Sequence, residues 1–269
     1  MGEAKQKSRS KKQILRENPR CVYCLSLATT VEHMPPKAMF QKDRFRPSGM
    51  EFGCCEACNN GTKAADAIAS FLAYLSPTDS RLNEWQMPVL VKLRDTAEQL
   101  QPGFRAEFFN QEKASRTFPK NTFGFLMPAT KVIADGPIIK RNMTSFSAKL
   151  GMALYQEHVG EPLPEGSGVF VKWFLNAGLS EEQSLRYLRI LPVRGELRMG
   201  AKTSIDQFGY RYNCDDRSIL AAMIGFHSNL HIFVIATSDL ATFGDALSQH
   251  KELTFVKFGE LTNLLSTKT

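Results

Sequence analysis

Four cysteines in two pairs bracket the residues of this chain best suited to chemistry. Cys21-Val22-Tyr23-Cys24 and Cys55-Glu56-Ala57-Cys58 both have C-x-x-C spacing, and thirty residues separate Cys24 from Cys55. Clustered cysteines in a reducing compartment point to metal binding, not disulfides. Two such pairs supply four thiolates, a set that suits tetrahedral Zn²⁺ with Zn–S near ~2.3 Å. Four thiolates leave no open coordination position, so the ion would be structural. In a segment too small to bury much apolar surface it would supply folding energy. Cys54 leaves an ambiguity, because Cys54 and Cys58 are also candidate ligands; the shorter Cys55–Cys58 spacing makes the tighter turn. Cys214 stands alone and reads as a small buried hydrophobe.

Between the pairs lies Thr30-Val31-Glu32-His33-Met34-Pro35-Pro36-Lys37-Ala38-Met39-Phe40. The second pair runs directly into Asn59-Asn60-Gly61-Thr62-Lys63-Ala64-Ala65-Asp66. A C-x-x-C pair, Glu-His followed by prolines, then C-x-x-C-Asn before a helix resembles the four-cysteine HNH endonucleases of the ββα-metal fold. EHMPPKAMF and CCEACNNGTKAAD are similar to a bacterial subgroup that reads Glu-His-x-Pro-Pro-Lys and Cys-Asn-Asn-Gly. The resemblance covers residues 20–76.

What the resemblance implies is a metal-dependent nuclease that hydrolyses phosphodiester bonds of DNA, in phage defence or mobile-element biology. Such hydrolysis needs a base to activate water and a cation to neutralise charge on the phosphate and leaving oxygen. By the resemblance His33 is the base and Glu32 a catalytic metal ligand. Asn59 ligates that metal or orients the phosphate. Oxygen ligands suit Mg²⁺ or Mn²⁺, so the implied site holds two metals with separate jobs, structural Zn²⁺ and a catalytic ion. One departure from the pattern is that Ser48–Gly53 lacks the middle Asn carried by many HNH modules.

Asn59, Lys63 and Asp66 fall at i, i+4 and i+7, on one face of an expected helix. Lys63 could then touch a phosphate, and Asp66 could ligate the catalytic metal or orient His33; a solvated helix face is the plain alternative. The loop Lys37–Arg46 interleaves Lys37, Lys42, Arg44 and Arg46 with Phe40 and Phe45, a mixture that suits backbone contact and base stacking; a solvated loop with the two rings in the core is the equal alternative. His227 and His231, spaced four apart in an apolar run, read as structural.

The elements that must position these groups follow from periodicity. The spacing predicts an arm over 1–20, helical from Lys11 to Glu17 and broken by Pro19. It predicts turns and short strands over 21–58, then a helix from Asn59 ended at Ser76-Pro77. Further helices are expected at 88–100, 138–158 and 180–190. Strands are expected at 104–109, 123–127, 168–175, 205–213 and 229–237. The expected fold is α+β, with a zinc-stapled ββα-metal module at 21–78 and a larger mixed α/β domain at 85–269. That domain would serve recognition, homo-oligomerisation or the sensing of a protein partner.

The formal net charge is +7. Residues 1–20 hold seven Lys/Arg against two acids, so the arm carries +5 and the remaining chain +2. A basic tail suits phosphate backbones. No apolar run reaches the roughly 20 residues that span a bilayer, and no secretory signal is visible, so a cytoplasmic protein is expected. The alternative to a nuclease is a non-catalytic zinc protein that binds nucleic acid.

Overall fold

The computed structural model describes residues 9–41, 46–75, 86–118, 126, 129–175, 197–215, 217–227 and 229–266. The expected helix at 180–190 and the strand at 123–127, apart from Leu126, lie outside the described residues. So do Lys42, Arg44 and Phe45.

The helices are α1 (Lys11–Glu17), α2 (Glu56–Gly61), α3 (Lys63–Tyr74), α4 (Gln86–Leu100), α5 (Phe104–Phe108), α6 (Pro137–Val159), α7 (Leu240–Ser248) and α8 (Leu261–Ser266). The strands are β1 (Thr30–His33), β2 (Glu51–Cys54), β3 (Ser115–Thr117), β4 (Ala129–Lys131), β5 (Gly168–Leu175), β6 (Arg198–Met199), β7 (Phe208–Asp215), β8 (Ile219–Phe226), β9 (Leu230–Thr237) and β10 (Thr254–Lys257). The architecture is α+β. A small strand–helix unit bearing the cysteines precedes a larger α/β part.

The N-terminal unit is a hairpin with helices against it. β1 and β2 pair antiparallel with Thr30 opposite Cys54 and His33 opposite Glu51. α1 is capped by Ser10, whose side chain accepts from Gln13 N, and it stops at Glu17, two residues before Pro19. The chain then passes so close to β2 that a Cβ on Gly53 would fall 2.1 Å from the Asn18 carbonyl oxygen. The single helix expected from Asn59 is instead two, because the chain kinks at Thr62, which caps α3 without a side-chain hydrogen bond.

The larger part is a six-stranded antiparallel sheet in the order β10-β5-β9-β8-β7-β6. Its central strands read as continuous apolar runs because both faces are buried. Val169, Val171, Leu220, Ala222, Ile232 and Val234 face the main core, while Phe170, Ile219, Ala221, Phe233 and Ile235 face a second cluster that includes Leu247 of α7. This is the period-2 alternation of a strand. α6 crosses the first face so closely that a Cβ on Gly151 would stand 2.8 Å from Val169 Cγ1.

α6 is buried over most of its length, with the sheet on one side and α3 on the other. One continuous apolar core therefore runs from Cys21 through α3 and α6 to Leu261. Polar ties reinforce it: Gln156 Nε2 donates to Asn18 Oδ1 at 2.6 Å, and Asn229 Nδ2 donates to the Leu72 carbonyl at 2.6 Å. His227 pairs with the Met39 carbonyl at 2.9 Å and packs on Tyr74.

The strand expected at 104–109 is the helix α5. The alternation Phe104, Ala106, Phe108 also places the two phenylalanines at i and i+4, and both rings pack edge-on against Phe71. Glu98 accepts from Gly103 N and Arg105 N, which fixes the helix start.

Candidate functional site

The hairpin and α2 bring the two cysteine pairs together. After Cys21 the chain curls tightly, with Cys24 N and Leu25 N both donating to the Cys21 carbonyl. Cys55 caps α2, its Sγ accepting from Cys58 N at 3.4 Å. The Sγ atoms of Cys21, Cys24, Cys55 and Cys58 all lie within 4.8 Å of one another. Cys24 is 3.6 Å from both Cys55 and Cys58. A tetrahedron with Zn–S of ~2.3 Å has edges of roughly 3.8 Å, so the donor set fits structural zinc. Cys54 falls outside the group, with its Sγ 3.9 Å from that of Cys21.

Along β1 successive side chains leave on opposite sides. His33 faces a cleft of about 1210 Å³. Three stretches distant in sequence wall this cleft: Arg9 and Lys11 at the start of α1, the hairpin with Lys37 and Arg46, and Ala201–Thr203 between β6 and β7. Five cationic side chains (Arg9, Lys11, Lys37, Arg46 and Lys202) line it against one carboxylate, Glu51.

Glu51 organises part of this charge. Its carboxylate accepts from Arg46 Nη2 at 2.5 Å, from Arg9 Nη2 at 3.2 Å and from Gly49 N at 3.1 Å. Lys202 bridges to the hairpin through the Gly49 carbonyl at 2.9 Å and pairs with Glu157 of α6. Lys11 and Lys37 make no ion pair among the described residues. Arg46 Nη1 is buried with no hydrogen-bond partner among the described residues. Burial, with the charges of Arg46 and Lys37, holds the His33 imidazole down at about 4, so the ring is neutral at pH 7.

On the other side of β1 the arrangement is dry. Glu32 is 5% exposed and turns towards α3 and α6. Lys149 of α6 is fully buried, with its Nζ 2.8 and 2.7 Å from the two carboxylate oxygens of Asp66. The same ammonium stands 3.5 Å from Glu32 Oε2 and 5.6 Å from the centre of the Tyr23 ring. Burial pushes the Glu32 carboxyl up to about 7 against the pull of Lys149. Burial alone would lower Lys149, but Asp66 and Glu32 outweigh it and raise the ammonium above its usual range.

Comparison with known proteins returns no match. No family model fits the chain, and no curated protein or solved structure matches it. What stands is a small ββα-type unit with a four-cysteine cluster able to chelate a metal.

The residues expected around a catalytic ion do not converge on His33. Asn59 Nδ2 donates to Thr30 Oγ1 at 3.0 Å, at the far end of β1. Three residues of strand span roughly 10 Å. The break at Thr62 puts Asn59 in α2 and Lys63 and Asp66 in α3, so the i, i+4, i+7 spacing no longer fixes a shared face. Glu32 and Asp66 do converge, but on Lys149. As placed, Glu32, Asn59 and Asp66 therefore do not fit Mg²⁺ or Mn²⁺, since the Lys149 ammonium already occupies the point where the two acids converge and Asn59 is bound to Thr30 instead.

Of the residues expected to touch nucleic acid, Lys37 and Arg46 line the cleft. Lys63 is exposed and lies outside its lining. Glu51, Lys149 and Lys202 were missed. The one signal for Lys149 was a charged residue inside the apolar run FSAKLGMAL, which demands a buried partner. Glu51 and Lys202 gave none.

Among the described residues no helix is long and apolar enough to cross a membrane.

Proposed function

We propose that this chain is a zinc-stapled protein that binds nucleic acid, DNA foremost, in the basic cleft beside His33. The observation that carries the reading is the cleft itself: five cations from three separate stretches surround one carboxylate and an uncharged imidazole. Such a surface favours a phosphodiester backbone, because each phosphate neutralised releases counterions. The orphaned Arg46 Nη1 is a further donor in want of an acceptor. The zinc cluster lies at the other end of the hairpin and holds it in register.

A hydrolytic reading rests on His33 being in its base form at neutral pH. With water in the cleft, a ring nitrogen would take a proton from the water as its oxygen attacks phosphorus, the P–O bond to the leaving sugar oxygen would break, that oxygen would take a proton from solvent, and Arg46 and Lys37 would neutralise the developing charge. An imidazole held near 4 is a weak base, however, and catalytic bases work best near the ambient pH. Binding is therefore the reading the geometry favours, and cleavage would need a bound phosphate to raise the ring's basicity.

Fluorescence anisotropy with labelled duplex DNA, single-stranded DNA and RNA across a salt series tests the first reading. Lys37→Ala and Arg46→Ala should each weaken binding and reduce the salt slope by about 0.9. Unchanged affinity in both would remove the cleft from the account. Incubation of plasmid with Mg²⁺, with Mn²⁺ and with EDTA tests the second reading. Cleavage that His33→Ala abolishes with zinc content intact would establish it.

A further inference from the structure

We propose that Lys149 is a built-in cation that takes the place of a divalent ion between Glu32 and Asp66, so that the chain binds no such ion there. The inference is independent of what the cleft binds.

Two carboxylates from different elements, β1 and α3, point at one spot. In many proteins such convergence holds a hard cation. Here the spot is filled from a third element, α6. The Lys149 ammonium contacts both oxygens of Asp66 within 2.8 Å and faces Glu32 Oε2 at 3.5 Å. The Tyr23 ring covers it, and Lys149 is entirely out of reach of water. The Asp66 side chain is still 19% exposed, so it is the ammonium seated between the two acids, and not burial alone, that holds a second cation out. Among the described residues the Tyr23 hydroxyl is buried with no hydrogen bond and Glu32 Oε2 has only the ammonium at 3.5 Å, so the pocket is not ideally filled by the lysine. It keeps two acceptor atoms that an ion with several coordination positions would use.

Two consequences follow. A requirement for added divalent metal, if the chain shows one, originates elsewhere than Glu32 and Asp66. Removal of the ammonium should expose a cation site that the native chain keeps shut.

The test uses the full chain loaded with zinc and titrated with Mn²⁺, with free Mn²⁺ read by electron paramagnetic resonance. The wild-type chain should show no Mn²⁺ site that Glu32→Gln removes. Lys149→Ala should gain one Mn²⁺ per chain that wild type lacks, in the affinity range of a weak carboxylate site. The double variant Lys149→Ala/Glu32→Gln should lose that gain. A wild-type site abolished by Glu32→Gln would overturn the proposal, as would a folded Lys149→Ala chain that gains nothing. If Lys149→Ala folds only when Mn²⁺ is present, the ion has replaced the ammonium and the proposal stands. If it folds under no condition, the wild-type titration decides alone.

Discussion

Glu51 stands directly across the β1–β2 ladder from His33, and its carboxylate is gripped by both Arg9 and Arg46. The pairing sets the charge of the cleft. It spends two guanidinium groups on one acid and leaves Lys11 and Lys37 unpaired among the described residues. Glu51→Gln should free both arginines towards a phosphate and tighten nucleic-acid binding about five-fold, roughly 1 kcal/mol. Anisotropy at fixed salt reads this directly. Weaker binding would mean that Glu51 positions the arginines and does not merely screen them.

The imidazoles of His33 and His158 are both held at about 4, below their ordinary 6.5, first by burial and then by neighbouring cations. The folded state therefore binds fewer protons than the unfolded chain. Their contribution to stability is intact above 6.5 and is lost as pH falls towards 4. Affinity for nucleic acid should stay flat from pH 8 to 6. Urea midpoints at pH 7.5, 6 and 5 should fall, and His33→Phe should reduce the slope. Zinc content must be followed in parallel, because acid also protonates the thiolates. An affinity that climbs between pH 7.5 and 6 in wild type but not in His33→Phe would contradict a neutral ring.

Cys21, Cys24, Cys55 and Cys58 form the metal-holding group, and Cys54 lies beside it. Cys21→Ser should abolish stoichiometric zinc and unfold the hairpin, because the ion's binding free energy is folding free energy. Cys54→Ser and Cys214→Ser should keep one zinc per chain. Metal analysis with circular dichroism checks this, and zinc loss in Cys54→Ser with retention in Cys55→Ser would reassign the fourth ligand.

Lys149→Met leaves the buried Glu32 and the half-buried Asp66 without a counter-charge, and breaking such a buried pair typically costs about 3–5 kcal/mol. The triple variant Lys149→Met/Glu32→Gln/Asp66→Asn should recover most of that loss. Urea unfolding separates the two cases. A triple variant as unstable as the single one would show that packing, not charge, explains the cost.

The four-cysteine cluster was legible because ligand spacing in a metal knuckle is local, and four of the five clustered thiols identify themselves by it. The helices near 88–100 and 138–158 and the strands at 168–175 and 229–237 follow from apolar period, and the short helix at 11–17 is bounded by Pro19. β8 was not foreseen: ILAAMIGF is apolar throughout, since it is covered on both faces, and so has no alternation to read. α5 was read as a strand because Phe104, Ala106 and Phe108 satisfy both periods. The cleft was legible only in part. Lys37 and Arg46 sit near His33 in sequence, but Lys202 arrives through the sheet's topology, which no local pattern encodes. The surroundings of Glu32 were misjudged for the same reason. Its partner lies more than a hundred residues away, on α6, which packs between α3 and the large sheet.

A groove with walls drawn from residues 9–11, 30–51 and 201–203 is finished only when the last of them is in place. During synthesis, the cysteine-bearing stretch emerges and can capture its ion long before Lys202 leaves the ribosome. Excised alone, that stretch would lack one wall and the lysine plug of α6. An isolated fragment would therefore present an open acid pair and an incomplete basic surface, and would be a poor proxy for the intact chain.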